Sequence, residues 1–173
     1  MAIGATSLQF HNVFVYGTLM ADEVVNVLLN RVPPCSPAVL QGYRRHSIRG
    51  RVYPAIVPAE NNSVNGKVIR DLTDYEMDLF DEFEDVEYVR TLEEVIVLGN
   101  ETQQNGSDQL KAHTYVWADA NDENLYGEWN FKEWKDVHMN DFLKMCESFI
   151  ADFKELRVTR RVPIYETFFE HKP

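Results

Sequence analysis

Val13-Phe14-Val15-Tyr16-Gly17-Thr18-Leu19-Met20 carries the decisive local signal. Val13 to Tyr16 is a short apolar run rich in β-formers and predicts a buried strand. Gly17 ends the run and predicts a tight turn, free to take positive φ and to let a ligand approach the backbone. Residues 20–30 continue as a helix, with Val24, Val25, Val27, Leu28 and Leu29 on a broad apolar face that stops before Pro33-Pro34. Strand, turn and helix start leave backbone N–H groups unpaired at the helix N-terminus. Such groups bind a carboxylate or a developing oxyanion. Thr18 is placed to cap the helix. The spacing matches neither Gly-x-Gly-x-x-Gly nor the P-loop, so nucleotide binding is not supported.

Outward from this element, residues 36–58 read as extended and irregular, punctuated by Gly42, Gly50, Pro54 and Pro58. Val64 to Leu72, residues 88–98 and residues 110–118 read as strands, with a polar loop at 99–109. From Phe131 to Arg157, apolar residues recur at helical spacing, with a break near Asn140. The expected fold is α+β with a mostly closed sheet. The expected organisation is an extended or disordered N-terminus (1–11), a single domain including the C-terminal helix (12–157), and a tail (158–173) that packs back or frays.

The 173 residues carry 17 Lys+Arg against 28 Asp+Glu, a formal charge of -11. This length suits one domain that folds without a disulfide framework. The acidic balance argues against a general nucleic-acid binder and against attachment to an anionic membrane. Cys35 and Cys146 form no C-x-x-C motif. The N-terminus does not read as a signal peptide, and no apolar run is long enough to span a bilayer. The expected compartment is the cytoplasm, with both cysteines reduced. The glycosylation-type triplets at Asn61, Asn100 and Asn105 read as chance matches in polar loops.

Much of the charge sits in residues 71–87, DLTDYEMDLFDEFEDVE, with nine acids and no Lys or Arg. Thr73-Asp74-Tyr75-Glu76 is a capping box, with Leu72 and Met77 as its hydrophobic staple. On a helical wheel Tyr75, Leu79, Phe80 and Phe83 share one side. Asp74, Asp78, Asp81 and Asp85 share the other, a solvated face. Glu76 falls on the apolar side as part of the capping box. Glu84 falls at the edge of the apolar arc beside Met77 and Phe80. Crowding by Asp81 and Asp85 and desolvation by the apolar flank both raise a carboxyl pKa, toward acid–base work.

These elements together resemble the γ-glutamylcyclotransferase-like superfamily. Phe14-Val15-Tyr16-Gly17-Thr18-Leu19 is similar to its F-x-Y-G-[ST] motif, and Phe80 to Glu84 with Tyr88-Val89-Arg90 to its L-D-x-[FY]-E…Y-x-R signature. Tyr53-Pro54-Ala55-Ile56, Val64-Asn65-Gly66-Lys67-Val68 and Tyr115-Val116-Trp117 resemble its remaining segments, in order, over roughly residues 12–118. The C-terminal helix, with Gly127-Glu128-Trp129-Asn130-Phe131, resembles the plant avirulence-induced-gene-like branch.

The resemblance implies a small mixed β-barrel with flanking helices, a longer C-terminal helix and a cavity at one side. It implies an acyltransferase of the aminoacyltransferase class that cyclises a small γ-glutamyl amine, amino acid or peptide and releases 5-oxoproline. Glu84 is the implied proton-transferring group. Tyr16, Gly17, Thr18, Leu19, Met20 and Ala21 are the implied substrate loop, with Tyr115 as a further candidate contact and Tyr88 as a wall residue. No cofactor or metal is implied. Two positions depart from the family's pattern: Asp85 stands where Gly often follows the glutamate, and Leu19 stands where several members have Asn. The substrate's identity and any protein partner stay open.

Five histidines show no metal-ligand spacing. Cys35, between Pro34 and Ser36, has no activating partner in the sequence. Arg44, Arg45, Arg49 and Arg51 form the one dense basic cluster. They are expected to be solvated or paired with the acidic helix, with one in reach of the cavity able to bind the substrate α-carboxylate. An alternative is a non-catalytic ligand- or protein-binding module on the same fold in a stress or defence response. Its motive is a C-terminal helix and aromatic tail beyond what a minimal barrel needs.

Overall fold

The computed structural model describes residues 9–99 and 108–169, with side chains described to Val158. Strands β1 (His11–Val15), β2 (Cys35–Ile48), β3 (Pro54–Leu72), β4 (Tyr88–Val97) and β5 (Asp108–Trp117) run in the order β3-β1-β5-β4-β2. Pairing of β2 with β3 closes the ring. β1 and β5 are parallel and the other neighbours antiparallel, so the fold is a closed, mixed, five-stranded barrel. A sixth short strand, β6 (Leu125–Tyr126), pairs with the end of β2 outside the ring.

β1 shows why Val13 to Tyr16 reads as an unbroken apolar run. Side chains alternate across a strand. Phe14 and Tyr16 pack with Leu40, Ile56, Val68, Val95 and Ala112, contributed by the other four strands, inside the barrel. Val13 and Val15 pack outward against a helical layer. Both faces are buried, so no polar alternation is possible.

That layer holds α1 (Asp22–Leu29), α2 (Asp74–Glu84), α3 (Phe131–Val137) and α4 (Met139–Phe169). Thr73 caps α2 through the predicted capping box, and Leu72 and Met77 are buried in one cluster. The break between α3 and α4 falls at His138, close to the expected Asn140.

Several expectations change. Residues 36–58 are not irregular: they supply most of β2 and the start of β3, which form one long antiparallel pair. Gly42, Pro54 and Pro58 are absorbed by the strands, whereas Gly50, at φ +77, does mark the turn between β2 and β3. Gly42 sits at φ +83 where the register slips between Gln41 and Tyr43, a bulge that needs left-handed backbone. Thr18 does not cap a helix. Thr18–Met20 is a single 3-10 turn, and α1 begins after Ala21 with no side-chain cap.

The C-terminal helices are not surplus to the barrel. Trp134, Phe142, Cys146 and Phe153 are buried with Leu79, Phe80 and Leu28. Helix α4 also continues to Phe169, past the Arg157 where the apolar periodicity ends. Residues 1–8, 100–107 and 170–173 lie outside the described residues, with most of the 99–109 loop and the triplets at Asn100 and Asn105. Cys35 is exposed, Cys146 buried, and both are free thiols. Among the described residues, no helix is long and apolar enough to cross a membrane.

Candidate active site

A cavity of about 180 Å³ opens between the turn after β1 and the C-terminal end of α2. The turn brings Tyr16, Gly17, Thr18 and Leu19 to it; α2 brings Glu84; β5 brings Tyr115. Six of the residues singled out from the sequence therefore meet at one place. Met20 and Ala21 do not line the cavity. The chain has already turned toward α1, where Ala21 is buried in the helical layer and the Met20 carbonyl accepts from Lys67 Nζ at 2.6 Å.

Glu84 is the last residue of α2 and lies at the cavity wall, partly exposed. Burial alone pushes its carboxyl up to about 8. The expected crowding by Asp81 and Asp85 makes no contribution, because Asp81 faces elsewhere: it accepts from the Tyr115 hydroxyl at 2.7 Å and pairs with Arg90 at 3.1 Å. A carboxyl near 8 is far better matched to an amine than an ordinary one near ~4.3.

The four aspartates of the expected solvated face include three that tie elements together. Asp74 holds His11 at 2.5 Å, Asp78 holds Arg157 at 3.2 Å, and Asp81 holds Arg90. Asp78, Asp81 and both arginines also border a more open groove of about 640 Å³, which shares Asp85, Tyr88 and Tyr115 with the cavity. Tyr75, on the expected apolar side, is half-exposed and covered by Arg157 at 4.5 Å. Glu76 does more than cap: both its carboxylate oxygens accept from Arg31, at 2.5 and 2.8 Å.

The turn explains its glycine sterically. Gly17 adopts φ -129, not a positive angle. A Cβ there would lie 2.8 Å from the Pro54 ring, so the requirement is close packing against β3. Within the turn, Met20 N–H donates to the Gly17 carbonyl and Ala21 N–H to that of Thr18. The amides of Thr18 and Leu19 open the turn and have no carbonyl within it to meet.

Tyrosines make the rest of the wall. Tyr16 donates its hydroxyl to the Tyr115 carbonyl at 2.5 Å, and Tyr88 donates to the Pro54 carbonyl at 2.7 Å. Burial holds all three phenols well above their usual range, so they stay neutral donors. Tyr53, Phe83, Glu87 and Phe142 also line the cavity. None of these four was expected at the cavity. Tyr53 and Pro54 were legible as a motif, whereas Phe142 comes from α4 by a tertiary contact that no local pattern announces.

None of the arginines at 44, 45, 49 and 51 pairs with α2 or lines the cavity. Arg44 and Arg49 are exposed, Arg49 over the Tyr126 ring. Arg51 grips Glu87 at 2.7 and 2.9 Å and also donates to the Tyr53 hydroxyl. Arg45 donates to the Tyr16 carbonyl. The Asp and Glu side chains on the lining are Glu84, Asp85 and Glu87, and no Lys or Arg joins them.

Comparison with known proteins agrees with this fold. Residues 13–136 match the family model for gamma-glutamyl cyclotransferase, AIG2-like. AIG2-like protein D of Arabidopsis thaliana is 49% identical over 146 residues, covering 84% of this chain and 93% of its own. An Arabidopsis thaliana protein solved in solution is 38% identical, with a TM-score of 0.63 over 86% of this chain and 95% of its own. A solved gamma-glutamyl cyclotransferase, 17% identical, shares the fold with a TM-score of 0.53 over 68% of this chain and 69% of its own. Sharing that barrel, and matching the family model across it from Val13 to Asp136, the chain belongs to the AIG2-like gamma-glutamyl cyclotransferase family.

Proposed function

We propose that this protein cyclises a γ-glutamyl amine, amino acid or peptide, releasing 5-oxoproline and the free amine. The observation that carries the reading is the half-buried Glu84 carboxyl, raised to about 8 by desolvation, in one cavity with the Gly17–Leu19 turn. Family membership supplies the reaction class.

The substrate's α-amine arrives protonated and must lose a proton before it attacks. Glu84, once ionised, takes that proton. The amine nitrogen bonds to the γ-carbonyl carbon, and the carbonyl oxygen becomes an oxyanion met by amides of the turn. The carbon–nitrogen bond to the leaving group then breaks as Glu84 returns the proton to the leaving nitrogen; the second proton on the attacking nitrogen is lost as the lactam forms and ends on the departing amine, which leaves as its ammonium. No water is consumed. Phe14, Tyr53, Phe83 and Phe142 keep the site narrow and apolar, which holds the substrate folded with amine and carbonyl in contact.

The test is 5-oxoproline release from a panel of γ-glutamyl amines, amino acids and peptides, wild type against Glu84→Gln. Release by wild type with loss in the variant is expected. Equal release by both removes Glu84 from the mechanism, and no release by wild type removes the cyclisation reading.

A further inference from the structure

Arg45 stands on β2, away from the cavity lining, yet it reaches the turn that lines it. Its Nη1 donates to the Tyr16 carbonyl at 2.8 Å and to the Asn65 carbonyl at 3.3 Å. Its Nη2 meets Glu128 at 3.3 Å, and the guanidinium lies 5.7 Å from the Trp129 ring centroid. The side chain is only 15% exposed, and its Nε is buried without a partner. Burying a guanidinium this far is costly, and the contacts it gains are mostly to backbone carbonyls. The shortest of these contacts, to the Tyr16 carbonyl, fixes one peptide of the turn.

That peptide joins Tyr16 to Gly17. No cis bond occurs among the described residues, so it is trans and planar. Its N–H therefore points opposite to its carbonyl. With the carbonyl held toward Arg45, the Gly17 N–H is directed to the other side, and Gly17 is a wall of the cavity. Lys67 holds the far end of the turn through the Met20 carbonyl. A cation on the carbonyl also polarises the peptide and makes its N–H a stronger donor.

We infer that Arg45 is a positioning residue that aims and strengthens the Gly17 N–H as an oxyanion donor. This rests on the cyclisation reading for its catalytic consequence, though not for its geometry. Arg45 touches no reacting atom; it acts through the Tyr16–Gly17 peptide.

The experiment compares Arg45→Met, Arg45→Lys and wild type in 5-oxoproline release and in amide NMR of 15N-labelled protein. Removing a whole oxyanion donor costs about 10²–10³ in kcat. Weakening and misaiming one should lower kcat about tenfold in Arg45→Met, with KM within about twofold, because the donor acts on the transition state. Arg45→Lys, which can still donate to the carbonyl, should recover much of that loss. The Gly17 amide resonance should move in Arg45→Met, even without substrate.

A kcat within about twofold of wild type in Arg45→Met, or an unmoved Gly17 resonance, overturns the proposal. If that variant does not fold, Arg45→Gln keeps a donor without the charge, and wild-type kcat or an unmoved resonance there is equally decisive. If wild type releases no 5-oxoproline, the cyclisation reading fails while the Gly17 resonance still decides the positioning role.

Discussion

Glu84 and Gly17 face each other's elements across one cavity, Glu84 from the last residue of α2 and Gly17 from the turn after β1. Glu84→Gln keeps the size of the side chain and removes its proton chemistry. It should lower kcat by about 10²–10⁴, the usual worth of a general acid–base group. The wild-type profile should rise with pH through about 8, because the carboxyl is protonated below that value and ionised above it. Measuring kcat/KM across this range checks both points. An acid limb at an ordinary carboxyl pH near ~4.3 would show that Glu84 does not set it.

The same burial has a stability consequence of definite sign. Between ~4.3 and about 8, folded Glu84 holds its proton while the unfolded chain has released it. Its contribution is fully present below ~4.3 and is lost as pH rises through about 8. Urea midpoints of wild type should therefore fall over this window, and those of Glu84→Gln should fall less. Parallel curves would place the Glu84 carboxyl in water.

The sequence made the two halves of the site visible because each is local. Val13 to Gly17 is a strand and its turn, and helical periodicity alone sets Glu84 apart from Asp81 and Asp85. Non-local pairing hid the rest. Gly42, Pro54 and Pro58 look like breaks, yet β2 and β3 form one long hairpin that takes Gly42 as a bulge and meets Tyr43 with Pro58. Charge partners were also hidden. The acidic helix draws its arginines from positions 31, 90 and 157, not from the cluster at 44–51. Nothing in local spacing distinguishes Arg45, whose partner is a backbone carbonyl.

Arg31 and Glu76 give a stability test away from the cavity. Glu76 is buried, and burial works to raise its carboxyl. Hydrogen bonds from Arg31 and the Thr73 amide outweigh this and hold it below the usual range. Arg31→Met leaves a buried carboxylate short of its main partner and should cost about 1–3 kcal/mol. Its effect should shrink as pH falls, because Glu76 in the variant takes up a proton before Glu76 in the wild type does. Chemical denaturation at neutral and acid pH checks this; a loss independent of pH would indicate packing rather than charge.

Asp85 follows Glu84 with φ 62 and ψ -170, a conformation essentially reserved for glycine. Holding a side chain there costs about 1–3 kcal/mol. Its carboxylate recovers part of that by accepting from the Val86 amide at 2.7 Å, an exposed bond. Glycine would lose this bond and about 0.5–1 kcal/mol of chain entropy. Asp85→Gly should therefore stabilise the protein modestly, by about 0.5–1 kcal/mol on these terms. The acid limb of kcat/KM should stay in place, because burial and not the Asp85 charge sets Glu84. A downward move of that limb in the variant would show that Asp85 does press on Glu84. Destabilisation would show that the Val86 contact outweighs the strain of the backbone it caps.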